Sequence, residues 1–238
     1  MRLRIIKLVL LFLAWGFTQT VVAQHPINPN WDAGKIKGVR QLPYPMYDGF
    51  PFLTETWLPG EIEFTDGEVA DSLFLRYSSY KDELIYYNKE IGAQINIDKA
   101  SINGFLFTDT DGRTRTFRKQ YFDNYAKSSR YFEVLSSGET PLLAYRKVTL
   151  NSSTPYHDKN GILKNMVFEP NHQFYLYSPE KGYSLVRLSL PGLLAKFDKK
   201  LQKPIKKLLR KNRIRIEKES DFVDAWELVE KEGYKVIF

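Results

Sequence analysis

About ten short runs of alternating apolar and polar residues fill the chain between Gly60 and Leu190, and each is closed by a turn signal. No helix-length stretch separates them. Ser72 to Tyr77 places Leu73, Leu75 and Tyr77 on one side, as a strand with one buried face requires. Gly104 to Thr108 faces Thr114 to Lys119 across Asp109-Thr110-Asp111-Gly112, the clearest hairpin in the sequence. Glu61 to Phe64, Leu84 to Tyr87, Gln94 to Ile97, Tyr131 to Leu135, Leu142 to Leu150, Leu163 to Phe168, Gln173 to Tyr177 and Tyr183 to Leu188 complete the set. Parallel neighbours need crossovers of a dozen or more residues, which these gaps do not contain. The pattern predicts a mainly β (α+β) fold, an antiparallel meander that is either barrel-like or a two-sheet sandwich. The 16 Phe and 15 Tyr suit such pleated, half-buried surfaces.

From Pro191 the period changes. Leu201, Ile205, Leu208 and Leu209 recur at helical spacing, with Pro204 expected in a first turn and Asn212 at the end. Ser220 is expected to cap a second helix, with Phe222, Trp226 and Val229 on one face and Gly233 as the stop. Tyr234 to Phe238 alternates like a closing strand. Two C-terminal helices packed on the sheet are therefore predicted.

Charge is concentrated in this unit. Between Lys196 and Lys218 there are eleven Lys or Arg against Asp198 and Glu217, a net of +9 in a chain whose total is +7. Lys199, Lys200, Lys203, Lys206, Lys207, Arg210 and Lys211 form a candidate patch for anionic surfaces. The bland alternative is a solubilising helix face.

The N-terminus reads as an export signal over residues 1–23. Arg2, Arg4 and Lys7 precede an apolar run from Leu8 to Phe17, and Val21-Val22-Ala23 suits cleavage before Gln24. That run is too short for a membrane-spanning helix. Loss of the leader would lower the net charge from +7 to +4. With no cysteine, an exported chain of this size must be stable without disulfides and cannot carry a lipid-modified cysteine. Residues 24–59 form a Pro- and aromatic-rich extended lead-in, residues 60–190 the β domain, and residues 191–238 the basic helical unit. The Pro residues of Gln41 to Met46 and Gly49 to Phe52 exclude helix interior and central strand.

A resemblance accompanies these features. Trp57-Leu58-Pro59-Gly60-Glu61-Ile62 with Asp66-Gly67 after it, Leu75-Arg76-Tyr77, and Lys81-Asp82-Glu83-Leu84 resemble a group of uncharacterised exported β-rich proteins of Bacteroidota. Those proteins also end in a Lys-rich helix and an acidic-capped one. Ser78 stands where that pattern has Asn. The resemblance implies export and a β-then-α layout, and supplies no catalytic residues.

The search for chemistry yields no motif. His25, His157 and His172 lack partners at zinc spacing. His157-Asp158 is an isolated pair in a polar loop, and Asp109 to Gly112 lacks the distal Glu of a calcium loop. Ser136-Ser137-Gly138 is no nucleophile elbow, and no Gly-rich phosphate loop occurs. No cofactor, metal or catalytic residue is predicted. The leading expectation is a non-enzymatic periplasmic or extracellular envelope scaffold for binding or assembly. Its partners would be anionic envelope components or an envelope protein, not nucleic acid. The alternatives are an envelope hydrolase of glycans or peptides, and a small outer-membrane barrel.

Overall fold

The computed structural model describes residues 32–43, 48–122, 128–151, 155–164 and 167–238. The export signal, and Tyr44 to Met46 of the lead-in, lie outside them. Eleven strands form one sheet: β1 (Gly38–Arg40), β3 (Leu58–Phe64), β4 (Val69–Ser78), β5 (Glu83–Asn88), β6 (Ala93–Ile97), β7 (Ile102–Thr108), β8 (Thr114–Phe122), β9 (Ser128–Ser136), β10 (Leu142–Tyr145), β15 (Gln173–Ser178) and β16 (Gly182–Val186). The spatial order is β1-β6-β5-β4-β3-β7-β8-β9-β10-β15-β16, and every neighbouring pair is antiparallel. The expected hairpin is in place as β7–β8, with Thr108 opposite Thr114 and Gly112 at φ +80° in the turn. At Gly60 the sheet permits no side chain, because a Cβ there would meet the Leu106 carbonyl oxygen at 2.3 Å.

The sheet does not close. β1 and β16 are its two borders, which corrects the closed-barrel alternative and the outer-membrane barrel with it. The reason is a reversal of curvature at β9. Tyr131 and Phe132 are successive residues there and point to opposite faces. On the Tyr131 face, β4 curls back toward β9. Tyr77 packs 6.3 Å from Tyr131 and 5.2 Å from Phe117, and Phe105 stacks on Phe117 at 4.6 Å. On the Phe132 face, β16 curls back toward β8. Tyr183 stacks on Phe132 at 5.2 Å and donates its hydroxyl to the Tyr121 carbonyl at 3.0 Å. The two halves bend in opposite senses, so the borders never meet.

The segment expected as one strand, Leu142 to Leu150, is broken at Arg146-Lys147. The chain leaves the large sheet after β10 and enters a small one built from β11 (Val148–Asn151), β14 (Val167–Pro170) and β2 (Asp48–Gly49). β2 runs parallel to β14, the one departure from antiparallel pairing among the described strands. A two-residue hairpin, β12 (Tyr156–His157) with β13 (Leu163–Lys164), holds His157 at the surface.

A short helix α1 (Leu190–Leu194) precedes the two expected ones, α2 (Lys199–Lys211) and α3 (Glu219–Lys231). They cover the same face of β10, β15 and β16 that carries Leu142, Leu176 and Val186. Two details of capping differ from the sequence reading. Pro204 lies inside α2, because Asp198 caps the helix a full turn earlier by accepting from Lys200 N. Ser220 does not cap α3. Asp221 reaches back to accept from the Glu217 and Lys218 amides at 3.0 Å each. Tyr234 to Phe238 is not a strand either. Its backbone ties are Tyr234 N to Val229 O at 3.3 Å and Ile237 N to Lys196 O at 2.9 Å, while Tyr234 and Val236 pack under the helices.

A buried charge network joins helices to sheet. Arg115 on β8 grips Glu133 on β9 through two bonds of 2.8 Å. Arg146 donates Nε to the same carboxylate and spends both remaining nitrogens on Glu219 of α3, at 2.7 and 2.6 Å. Glu133 is 3% exposed and Arg146 4%. Burial alone would push the Glu133 carboxyl up, but the two guanidiniums outweigh it and hold the group below the usual range. His172, its ring Nδ1 3.2 Å from the Lys147 carbonyl, is kept below its ordinary value by burial and by Arg146.

Removing one partner of such a network leaves charge buried and unmatched. Glu133→Gln is therefore expected to lower the unfolding free energy by about 3–5 kcal/mol in urea titration. Because the Glu133 carboxyl is depressed in the folded state, its contribution is complete above the unfolded value of about 4.3 and fades as pH falls further. The difference between wild type and Glu133→Gln should shrink accordingly below that pH.

Candidate functional site

Helix α2 presents the predicted patch. Its apolar stripe is used up in packing: Ile205 and Leu209 are buried, and Leu201 and Leu208 lie against the same cluster. Helical spacing sets the cations on the opposite side in two rows. Lys199, Lys203, Lys206 and Arg210 follow one another at steps of four, three and four. Lys200, Lys207 and Lys211 run beside them. All seven are exposed. Lys200 lies 3.9 Å from Asp198, with its side chain 80% exposed, a pair of little worth. Among the described residues none of the other six has a carboxylate within 4 Å. The patch continues past Asn212, which closes the helix by donating Nδ2 to the Leu208 carbonyl, into exposed Arg213 and Arg215. The structure thus brings together all seven residues predicted from spacing.

The rows form a convex array about 20 Å long, at 1.5 Å per residue. Among the described residues no pocket is lined by these seven cations; the neighbouring cavity, of about 640 Å³, lies beyond the helix end at Arg213, Arg215 and Lys218. The surface can gather anions by charge, but it has no fixed fork of donors that would select one geometry.

Two carboxylates that sequence reasoning passed over are the natural candidates for acid–base chemistry, since both are buried. Glu133 is consumed by guanidiniums. Asp82, 2% exposed, sits in the β4–β5 turn at φ +59°, a left-handed position that Asp tolerates. Its Oδ1 accepts the Tyr77 hydroxyl at 2.6 Å and the Tyr131 amide at 3.2 Å, and its Oδ2 accepts Lys99 Nζ at 2.6 Å. Burial lifts the Asp82 carboxyl above its ordinary range, and Lys99 offsets that only in part. Both oxygens are engaged, and what they hold is the curl of β4 onto β9. No local pattern announces this in the sequence, because Asp82, Lys99 and Tyr131 meet only once the sheet bends. Among the described residues no cluster of three or more His, Cys, Asp or Glu could hold a metal. His157 and Asp158 do not form an acid–base pair: Asp158 accepts from the Asn160 and Ile162 amides and shapes the turn.

If Asp82 is a staple between strands, Asp82→Ala should cost about 3–5 kcal/mol of stability, since Lys99, the Tyr77 hydroxyl and the Tyr131 amide lose their acceptor together. Urea unfolding followed by tyrosine fluorescence measures this. A loss below about 1 kcal/mol would show instead a carboxyl held free of structural work.

No family model matches the chain, and neither a curated protein nor a solved structure matches it.

Proposed function

We propose that this chain is an exported, non-enzymatic envelope scaffold that docks by charge on an anionic lipid surface through α2. The observation that carries the reading is the array of seven exposed cations on one helix whose apolar stripe is already buried in the protein. The convex, extended form of the array fits a planar field of head groups better than a small ligand. Because Ile205 and Leu209 are committed to the core, α2 has no apolar face to insert between lipids. Attachment would be peripheral and electrostatic, and salt would reverse it. Among the described residues no helix is long and apolar enough to cross a membrane. Export rests on the leader at residues 1–23 and on the likeness to exported Bacteroidota proteins. Cleavage before Gln24 is checked by the N-terminal sequence of protein recovered from cells.

Co-sedimentation with vesicles tests the docking. Binding is expected to vesicles containing anionic lipid and not to neutral ones, and to fall steeply as salt rises. Each basic residue near such a surface contributes about 1 kcal/mol, so Lys203→Gln, Lys206→Gln and Lys207→Gln together should weaken it about a hundredfold. Failure to bind anionic vesicles even at low salt would refute the reading.

A further inference from the structure

Among the described residues the second half of the sheet has helices on one face only. On the other face β8, β15 and β16 enclose a cleft of about 790 Å³ whose walls are aromatic. Phe122 forms its floor. Tyr175 and Tyr183 stand edge-on to Phe122 at 5.3 and 5.0 Å, and Tyr177 leans on Tyr183 at 4.9 Å. A volume of this size suits a ligand of several rings.

The polar groups of the cleft decide what kind. The Tyr183 hydroxyl shares its one proton between Gln120 Oε1 at 2.8 Å and the Tyr121 carbonyl at 3.0 Å, with the Gln120 NH2 group turned away from it. That NH2 has no protein acceptor among the described residues, and the Tyr177 hydroxyl has no partner there either. Tyr175 is different, since its hydroxyl is spent on Gln173 at 2.9 Å. Lys181 supplies the one formal charge of the lining. The cleft therefore pairs flat ring faces with a few unspent neutral donors and acceptors. Among the described residues its lining has no carboxylate to draw a cation and no cluster of cations to draw an anion.

From this we infer that the cleft is a glycan-binding site, and that it takes a neutral saccharide chain. A pyranose ring has an apolar C–H face and a rim of hydroxyls. The face suits the Tyr177 and Tyr183 rings, and the rim suits the Gln120 amide and the Tyr177 hydroxyl. An acyl chain would fill the same volume but would strip water from the amide and hydroxyl without replacing its hydrogen bonds. The site lies on the face opposite the helical unit that carries the cation rows, so the two surfaces can be occupied independently.

Isothermal titration of the purified protein with cellohexaose, mannohexaose and chitohexaose tests the inference. Binding of at least one, with a dissociation constant in the millimolar range or tighter, is expected. Tyr177→Ala should weaken it at least tenfold. Tyr177→Phe, which keeps the ring and its packing, should weaken it severalfold, so a loss cannot be ascribed to misfolding. The triple Lys→Gln variant of α2 should bind the saccharide as wild type does, which separates this site from lipid docking. Absence of binding to all three oligosaccharides, binding indifferent to both Tyr177 variants, or saccharide displaced from the cleft by laurate would overturn it.

Discussion

The whole arrangement hangs on a single buried carboxylate. Glu133 lies inside the large sheet, with Phe117 opposite it on β8 and Ala144 on β10. It is held by Arg115 from one side and Arg146 from the other, and Arg146 carries the link to Glu219 at the start of α3. Charges this deep are rarely a net gain over well-packed hydrocarbon. Their value here is directional. A bidentate guanidinium accepts one orientation of its partner, so α3 can dock in one place along an otherwise smooth apolar face. Trp226 Nε1 bonded to the Thr140 carbonyl, and Thr140 N bonded to Glu230, fix the other end of the same helix.

The reversal of curvature gives the molecule two distinct surfaces. Bending one half around Tyr77 and Phe117 fills an aromatic core in which Tyr77, Phe107 and Phe117 are all fully buried. Bending the other half the opposite way leaves one face for the helices and one that is only partly filled. Such a fold makes a cavity without a barrel. It also explains why the large sheet tolerates three separate core clusters where a closed barrel of this size would hold one.

Much of this was legible in the residues, but only where the rule is local. Period-two runs located the strands, and Asp109 to Gly112 located a hairpin, because turn chemistry and alternation act within a few positions. The seven cations of α2 were readable for the same reason: apolar spacing at Leu201, Ile205 and Leu208 fixes where the remaining side chains must face. Pro204 misled because a Pro is normally confined to a first turn, whereas Asp198 caps well enough to start the helix earlier. Tyr234 to Phe238 misled because alternation is necessary for a strand but not sufficient without a neighbour to pair with. The Glu133 network and the Asp82 staple were invisible for a different reason. Apart from Tyr77, five residues before Asp82, their bonded partners are 13 to 73 residues apart, with Arg146 to Glu133 the nearest and Arg146 to Glu219 the farthest, and only the bent sheet brings them into contact.

A sheet of eleven strands that never closes still has two margins. One is β1, three residues long and ending in Arg40. The other is β16, where Lys196 reaches across from the helical side to the Ser184 hydroxyl at 2.7 Å. Neither offers a second molecule a long, flat row of free amides on which to grow. Short margins of this kind, bordered by a charged side chain, discourage edge-to-edge growth of an open sheet.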